Sequence, residues 1–133
     1  THTINPNEVD PVAEIRRLTD GGALYSLEMA GIPQVLRQAV DCLVPTGVCG
    51  LVGAAPVGVE ASLDMTNLLL GRTVRGLVEG ESIPDIFIPR LIELYLEGRF
   101  PFDRLIHPYP FAEINAAAAD SEQGRTIKPV LRL

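Results

Sequence analysis

Ala23-Leu24-Tyr25-Ser26-Leu27-Glu28-Met29, closed by Ala30-Gly31, is followed by Pro33 opening a run with Val35, Leu36, Ala39, Val40 and Leu43 at helical spacing. After Pro45-Thr46-Gly47 comes Val48-Cys49-Gly50-Leu51-Val52-Gly53-Ala54, an almost unbroken apolar run. The phrase reads strand, tight turn, helix, break, strand. A run of that kind suits a strand covered on both faces, which is the habit of parallel sheets. A loop through Pro56 and Gly58, a short extended stretch and Leu68-Leu69-Leu70-Gly71 lead to one more strand, Thr73-Val74-Arg75-Gly76-Leu77-Val78. Strands alternating with crossovers predict an α/β fold with a doubly wound parallel sheet.

Reading outward, Asp10 caps a helix with Pro11 at its first position, Val12, Ile15 and Leu18 form its apolar stripe, and Gly21-Gly22 ends it. Before it, Thr1-His2-Thr3-Ile4-Asn5 alternates like a strand and stops at Pro6, so the chain reads as starting mid-element. Beyond Gly80 the rhythm changes. A helix is predicted around Phe87 to Glu97 with Pro89 in or near its first turn, then an extended Phe102 to Tyr109, a helix from Phe111 to Ser121, and a last strand from Thr126 to Leu133. A domain boundary is placed near Glu79, dividing the chain into residues 1–78 and 79–133.

Of the 133 residues, 47% are apolar and 21% charged, an ordinary globular balance. The net charge of −6 is spread without a long acidic or basic block, which disfavours nucleic acid and anionic membranes as partners. Arg16-Arg17, the one basic pair, reads as the solvated side of a helix. Cys42 and Cys49 have no C-x-x-C spacing, and His2 and His107 stand near neither, so no metal site is predicted within these residues. They read as two reduced, packed thiols in a cytoplasmic protein. There is no apolar run of membrane-spanning length and no signal-peptide layout at the start of this sequence.

Glycine-rich phosphate loops are absent, because Gly47, Gly50 and Gly53 straddle a strand instead of following one. No nucleophile elbow or cysteine–histidine pair is found. Glu28 is the one carboxylate near a strand end; on a buried strand it needs a hydrogen-bonding partner, and a structural role is favoured. In doubly wound sheets ligands bind beyond the carboxyl ends of the strands. Here those ends are Met29-Ala30-Gly31, Val52-Gly53-Ala54 and Leu77-Val78-Glu79. Their small residues let backbone approach a ligand, and equally permit tight strand-to-helix turns.

Tyr25 to Gly31, Gly47 to Gly53 and Leu69-Leu70-Gly71-Arg72-Thr73 with Gly76 resemble the second half of the coenzyme domain of medium-chain zinc-dependent alcohol dehydrogenases. Gly98-Arg99-Phe100-Pro101-Phe102-Asp103, Phe111 to Ala117 and Gly124 to Pro129 resemble that family's closing motifs, with a flavour of the aryl (benzyl) alcohol enzymes. The resemblance implies the second half of a Rossmann sheet (residues 1–78) and the C-terminal piece of the catalytic domain (79–133). It also implies a nicotinamide cofactor, NAD or NADP, that exchanges a hydride with an alcohol, aryl alcohols included, as the alcohol and its aldehyde interconvert.

By resemblance, Met29 and Ala30 line the adenosine side, while Val52, Leu77 and Glu79 hold the carboxamide through backbone. Gly31 and Gly53 are cofactor-binding with them, as are Ala54 and Val78, whose side chains face the substrate. Lys128 stands where the family often has an arginine on the pyrophosphate, keeping the charge without the fork geometry. The edge strand 72–78 implies a homo-oligomer through sheet pairing. Zinc, the Lewis acid of such enzymes, would be held by residues upstream of Thr1, so the 133 residues alone are expected to be inactive. A zinc-free quinone or enoyl reductase relative and a non-catalytic nucleotide-binding or assembly module are the alternatives.

Overall fold

A computed structural model describes all residues, 1–133. The chain divides into two compact units, Thr1–Glu81 and Ser82–Leu133.

In the first unit the order is α1 (Pro11–Leu18), β1 (Ala23–Glu28), α2 (Pro33–Asp41), β2 (Leu43–Leu51), α3 (Met65–Leu69) and β3 (Thr73–Gly76), followed by a short 3-10 turn at Glu79–Glu81. The Asp10 carboxylate accepts from Val12 N–H ahead of Pro11, the start the sequence predicts for α1. Asp64 caps α3 by accepting from the N–H groups of Thr66 and Asn67. The three strands form one parallel sheet in the order β1-β2-β3. This is the α/β winding expected from the alternation of strand and helix. Val40, Leu43 and Cys49 form the buried core, with Ala23, Leu36, Ala39, Leu63, Leu68 and Val74 packed around them.

Two expectations are corrected here. Thr1 to Asn5 forms no strand. Asn5 instead turns the chain, its Oδ1 accepting from Asn7 N–H and its amide donating to Glu8. Pro45-Thr46-Gly47 does not separate α2 from β2. It is an irregular insertion inside β2, since Ala23 pairs with Leu43 but Tyr25 pairs with Val48. Thr46 takes a φ of 65° there and its N–H reaches Leu70 O at 3.2 Å, so a tertiary contact holds the bulge.

The second unit contains α4 (Pro84–Leu96), a 3-10 turn (Phe102–Leu105), β4 (Ile106–Pro110), a 3-10 turn (Phe111–Glu113), α5 (Ile114–Glu122) and β5 (Lys128–Arg132). β4 and β5 pair in parallel, with α5 packed on them. Pro84, not Pro89, occupies the first turn of α4, so Pro89 lies in the helix interior and the helix begins earlier than Phe87. Phe102 to Leu105 is a 3-10 turn instead of extended chain, with the Phe102 ring tilted at 45° against Tyr95, centroids 4.7 Å apart. Tyr109 and Ala117 are the buried residues of this unit. The Tyr109 hydroxyl donates to Asp120 Oδ2 at 2.8 Å and stands 2.8 Å from the Thr126 hydroxyl, while Arg125 Nε donates to Asp120 Oδ1 at 2.8 Å.

Candidate functional site

Parallel pairing brings the carboxyl ends of β1, β2 and β3 to one rim. Val52 N–H and Gly53 N–H donate to Glu28 O at 2.8 and 3.0 Å, and Leu77 N–H donates to Leu51 O at 2.9 Å. The chain beyond each strand is therefore tied to its neighbour. Met29, Ala30, Val52, Ala54, Val78 and Glu79 are exposed at this rim, while Gly31, Gly53 and Leu77 are half-buried. Of the residues picked out in the sequence, these nine come from one unit. Lys128 is the exposed first residue of β5 in the other unit.

The glycines at the rim are set by close approach. Gly31 has a φ of 67°, and a Cβ on it would lie 2.6 Å from Ala54 O. A Cβ on Gly53 would collide with Gly31 N and lie 2.6 Å from Glu28 Oε2. The turns after β1 and β2 thus touch backbone to backbone, which only glycine permits. At the end of β3, Glu79, Gly80 and Glu81 all have positive φ, 49°, 67° and 56°. Two non-glycine residues in that region mark local strain beside the rim.

Glu28 is fully buried at the centre of the rim. Its Oε1 accepts from Ala30 N–H and Gly31 N–H, both at 2.8 Å, with Ile32 N–H at 3.5 Å. Oε2 is buried without a hydrogen-bond partner. A pocket of about 330 Å³ lies alongside, lined among others by Glu28, Ile32, Leu36, Leu51, Val59 and Glu60. The sequence shows that Glu28 needs a partner; the structure supplies it from the backbone of the next turn.

Arg72 had no separate role in the sequence. It is nearly buried at the start of β3, its guanidinium donating to Leu43 O at 2.7 and 3.2 Å and to Asn67 O at 2.9 Å. A charged residue wedged between a glycine and an apolar strand is the signal that could have marked it.

No group of three or more His, Cys, Asp or Glu side chains is gathered anywhere in the chain. Cys42 and Cys49 are both buried, and burial, against a smaller backbone contribution, holds the Cys42 thiol above its ordinary pKa. β3 forms one edge of the sheet, with Thr73, Arg75 and Gly76 exposed along it. No helix is long and apolar enough to cross a membrane.

Residues 1–96 match the sequence pattern of a family described as zinc-binding dehydrogenase. An alcohol dehydrogenase zinc-binding domain protein from Burkholderia ambifaria is 54% identical with a TM-score of 0.93, covering all of this chain and 36% of that one. Benzyl alcohol dehydrogenase from Acinetobacter calcoaceticus is 48% identical with a TM-score of 0.94, again over the whole of this chain and 37% of its own. Geraniol dehydrogenase from Castellaniella defragrans is 41% identical over 98% of this chain and 36% of its own length. The chain thus spans little more than a third of these relatives. A rim built from backbone at the ends of parallel strands and a sequence match over residues 1–96 agree, and the chain belongs to the zinc-binding dehydrogenase family.

Proposed function

We propose that the chain forms the second half of the nicotinamide-binding sheet of a zinc-dependent alcohol dehydrogenase, with residues 79–133 belonging to its catalytic domain. The enzyme transfers hydride between an alcohol, aryl alcohols included, and NAD or NADP. The observation that carries this reading is the rim itself, where three strand ends present exposed backbone and small side chains on one side of a parallel sheet. The cofactor supplies the hydride acceptor; the protein's part is to bind it and fix the ring.

The engaged N–H groups narrow how that is done. Because Val52 N–H and Leu77 N–H already bond within the sheet, their carbonyls are the groups left to accept from the carboxamide, with the Glu79 backbone beside them. Met29, Ala30 and Gly31 meet the adenosine side, and Gly53 keeps that turn and the carboxamide turn in contact. Ala54 and Val78, both exposed, face the alcohol. Lys128 is the residue proposed to offer charge to the pyrophosphate. Zinc does not fit the residues of this chain, for which no donor set exists, and none is assigned to it. The exposed β3 edge supports pairing with a second copy.

The test is alcohol oxidation by the full-length protein that carries these residues, followed through formation of reduced cofactor. Ala54→Trp or Val78→Trp is expected to raise the KM for benzyl alcohol by about tenfold or more while the cofactor KM stays within about threefold. The 133 residues alone are expected to show no turnover. Cofactor-dependent activity that survives metal removal would point to a zinc-free reductase, and no dinucleotide binding at all would contradict the reading.

A further inference from the structure

Glu28 performs two tasks from one residue. Its backbone carbonyl accepts from Val52 N–H and Gly53 N–H at the end of β2, and its side chain accepts from Ala30 N–H and Gly31 N–H in the turn after β1. Those two turns then meet at Gly31 and Gly53, where there is no room for a Cβ. The geometry of one crevice wall thus meets in a single residue, whose side chain holds the first turn and whose backbone carbonyl holds the second.

The second carboxylate oxygen sharpens the point. Oε2 is buried with no donor and lies against Gly53. Burying an acceptor without a partner is unfavourable. A residue that only filled this space would be apolar, so the cost is offset by what Oε1 organises. The nearby Glu60 is exposed and Ile32, Leu36, Leu51 and Val59 are apolar, so the side chains lining the adjoining pocket bring no cation to neutralise it.

We propose that Glu28 is a positioning residue for the dinucleotide: by capping the Ala30–Ile32 turn and tying it to Val52–Gly53, it sets the backbone groups that face adenosine and carboxamide at one spacing. This rests on the function proposed above. It does not touch the cofactor, and its effect passes through the two turns.

The experiment compares Glu28→Ala, Glu28→Leu and Glu28→Gln with Val40→Ala in the full-length protein, measuring the melting temperature and the cofactor and alcohol KM. Val40 is fully buried in the core, away from the rim, and serves as a match for lost stability. Glutamine keeps an acceptor at the position of Oε1; leucine fills the space and offers none. Expected is a rise in cofactor KM of about tenfold for Glu28→Ala and Glu28→Leu, with Glu28→Gln within about threefold of wild type. The alcohol KM and the Val40→Ala cofactor KM should stay close to wild type. Should Glu28→Ala fail to fold, the contrast of Glu28→Leu with Glu28→Gln decides.

An unchanged cofactor KM in Glu28→Leu, or an equal rise in Val40→Ala, would overturn the positioning role and leave the dehydrogenase reading standing. Absence of cofactor-dependent turnover in wild type would overturn both.

Discussion

The two faces of the three-stranded sheet are opposites. On the face toward α2, β1 encloses two polar residues: Ser26 donates to Ala39 O at 2.7 Å and Glu28 is fully buried. On the other face, Tyr25 and Leu27 are 77% and 61% exposed, and with Val48, Gly50, Arg75 and Leu77 they line an open hollow. A lone amphipathic sheet would be the reverse, with apolar residues inside and polar residues outside. The inversion shows that β1 is built for a sheet covered on both sides, as parallel sheets are. Ser26 Oγ and Glu28 Oε1 are satisfied by backbone, the first tying β1 to α2 and the second organising the next turn, while Glu28 Oε2 is left without a donor.

That contrast yields a ranked set of expectations. Largest is the core on the covered side. Leu43→Ala should lower the stability of the chain by roughly 2–5 kcal/mol, whereas Leu27→Ser on the open face should change it by less than about 0.5 kcal/mol. Chemical denaturation of both variants checks this, and repeating Leu27→Ser in the full-length protein sharpens it. If the open face is covered there, the substitution becomes clearly destabilising.

Arg72 comes next. Arg72→Ala leaves Leu43 O and Asn67 O without their donor and should cost about 2–3 kcal/mol. Arg72→Lys should recover only part, because one ammonium cannot reproduce the fork on both carbonyls. A gain is expected at Thr46. A β-branched residue at a φ of 65° is strained, and Thr46→Gly should raise stability by about 0.5–1 kcal/mol once the added chain entropy is allowed for. A fall in melting temperature would mean that the Thr46 side chain stabilises the bulge.

The smallest effect lies in the second unit and depends on pH. The hydrogen bond from Tyr109, then the one from Arg125, holds the Asp120 carboxyl below its ordinary value of 3.8. The folded form therefore favours ionised Asp120. The stability this adds is present above the unfolded pKa and is lost as pH falls through the lower folded one. Tyr109 is drawn down by the Thr126 hydroxyl, yet Asp120 and burial together carry it above its usual value. Asp120→Asn should flatten the acid limb of a melting-temperature profile below about pH 4 and leave its neutral part parallel to wild type.

Much of the fold was legible because its signals are local. Asp10-Pro11, Pro33 and the apolar run to Ala54 each encode their element within a few residues. What was not legible depends on distant partners. The bulge at Pro45-Thr46-Gly47 looks like a plain break until Thr46 N–H finds Leu70 O. The 3-10 turn at Phe102 belongs to an aromatic cluster with Tyr95 and Phe100. Pro89 resembles a helix start only while Pro84 goes unnoticed. Likewise, small residues at Gly31 and Gly53 suggest a crevice, but the contact between their turns and the place of Glu28 behind them are three-dimensional facts.

The ends of β1, β2 and β3 are proposed to clasp a nicotinamide dinucleotide. Hydrogen–deuterium exchange of the full-length protein with and without NAD tests it most directly. Segments 28–32, 51–55 and 76–80 are expected to exchange more slowly when the cofactor is bound, with Leu43 and its core neighbours unchanged. Unaltered exchange in all three segments, under conditions where the cofactor is shown to bind, would contradict it.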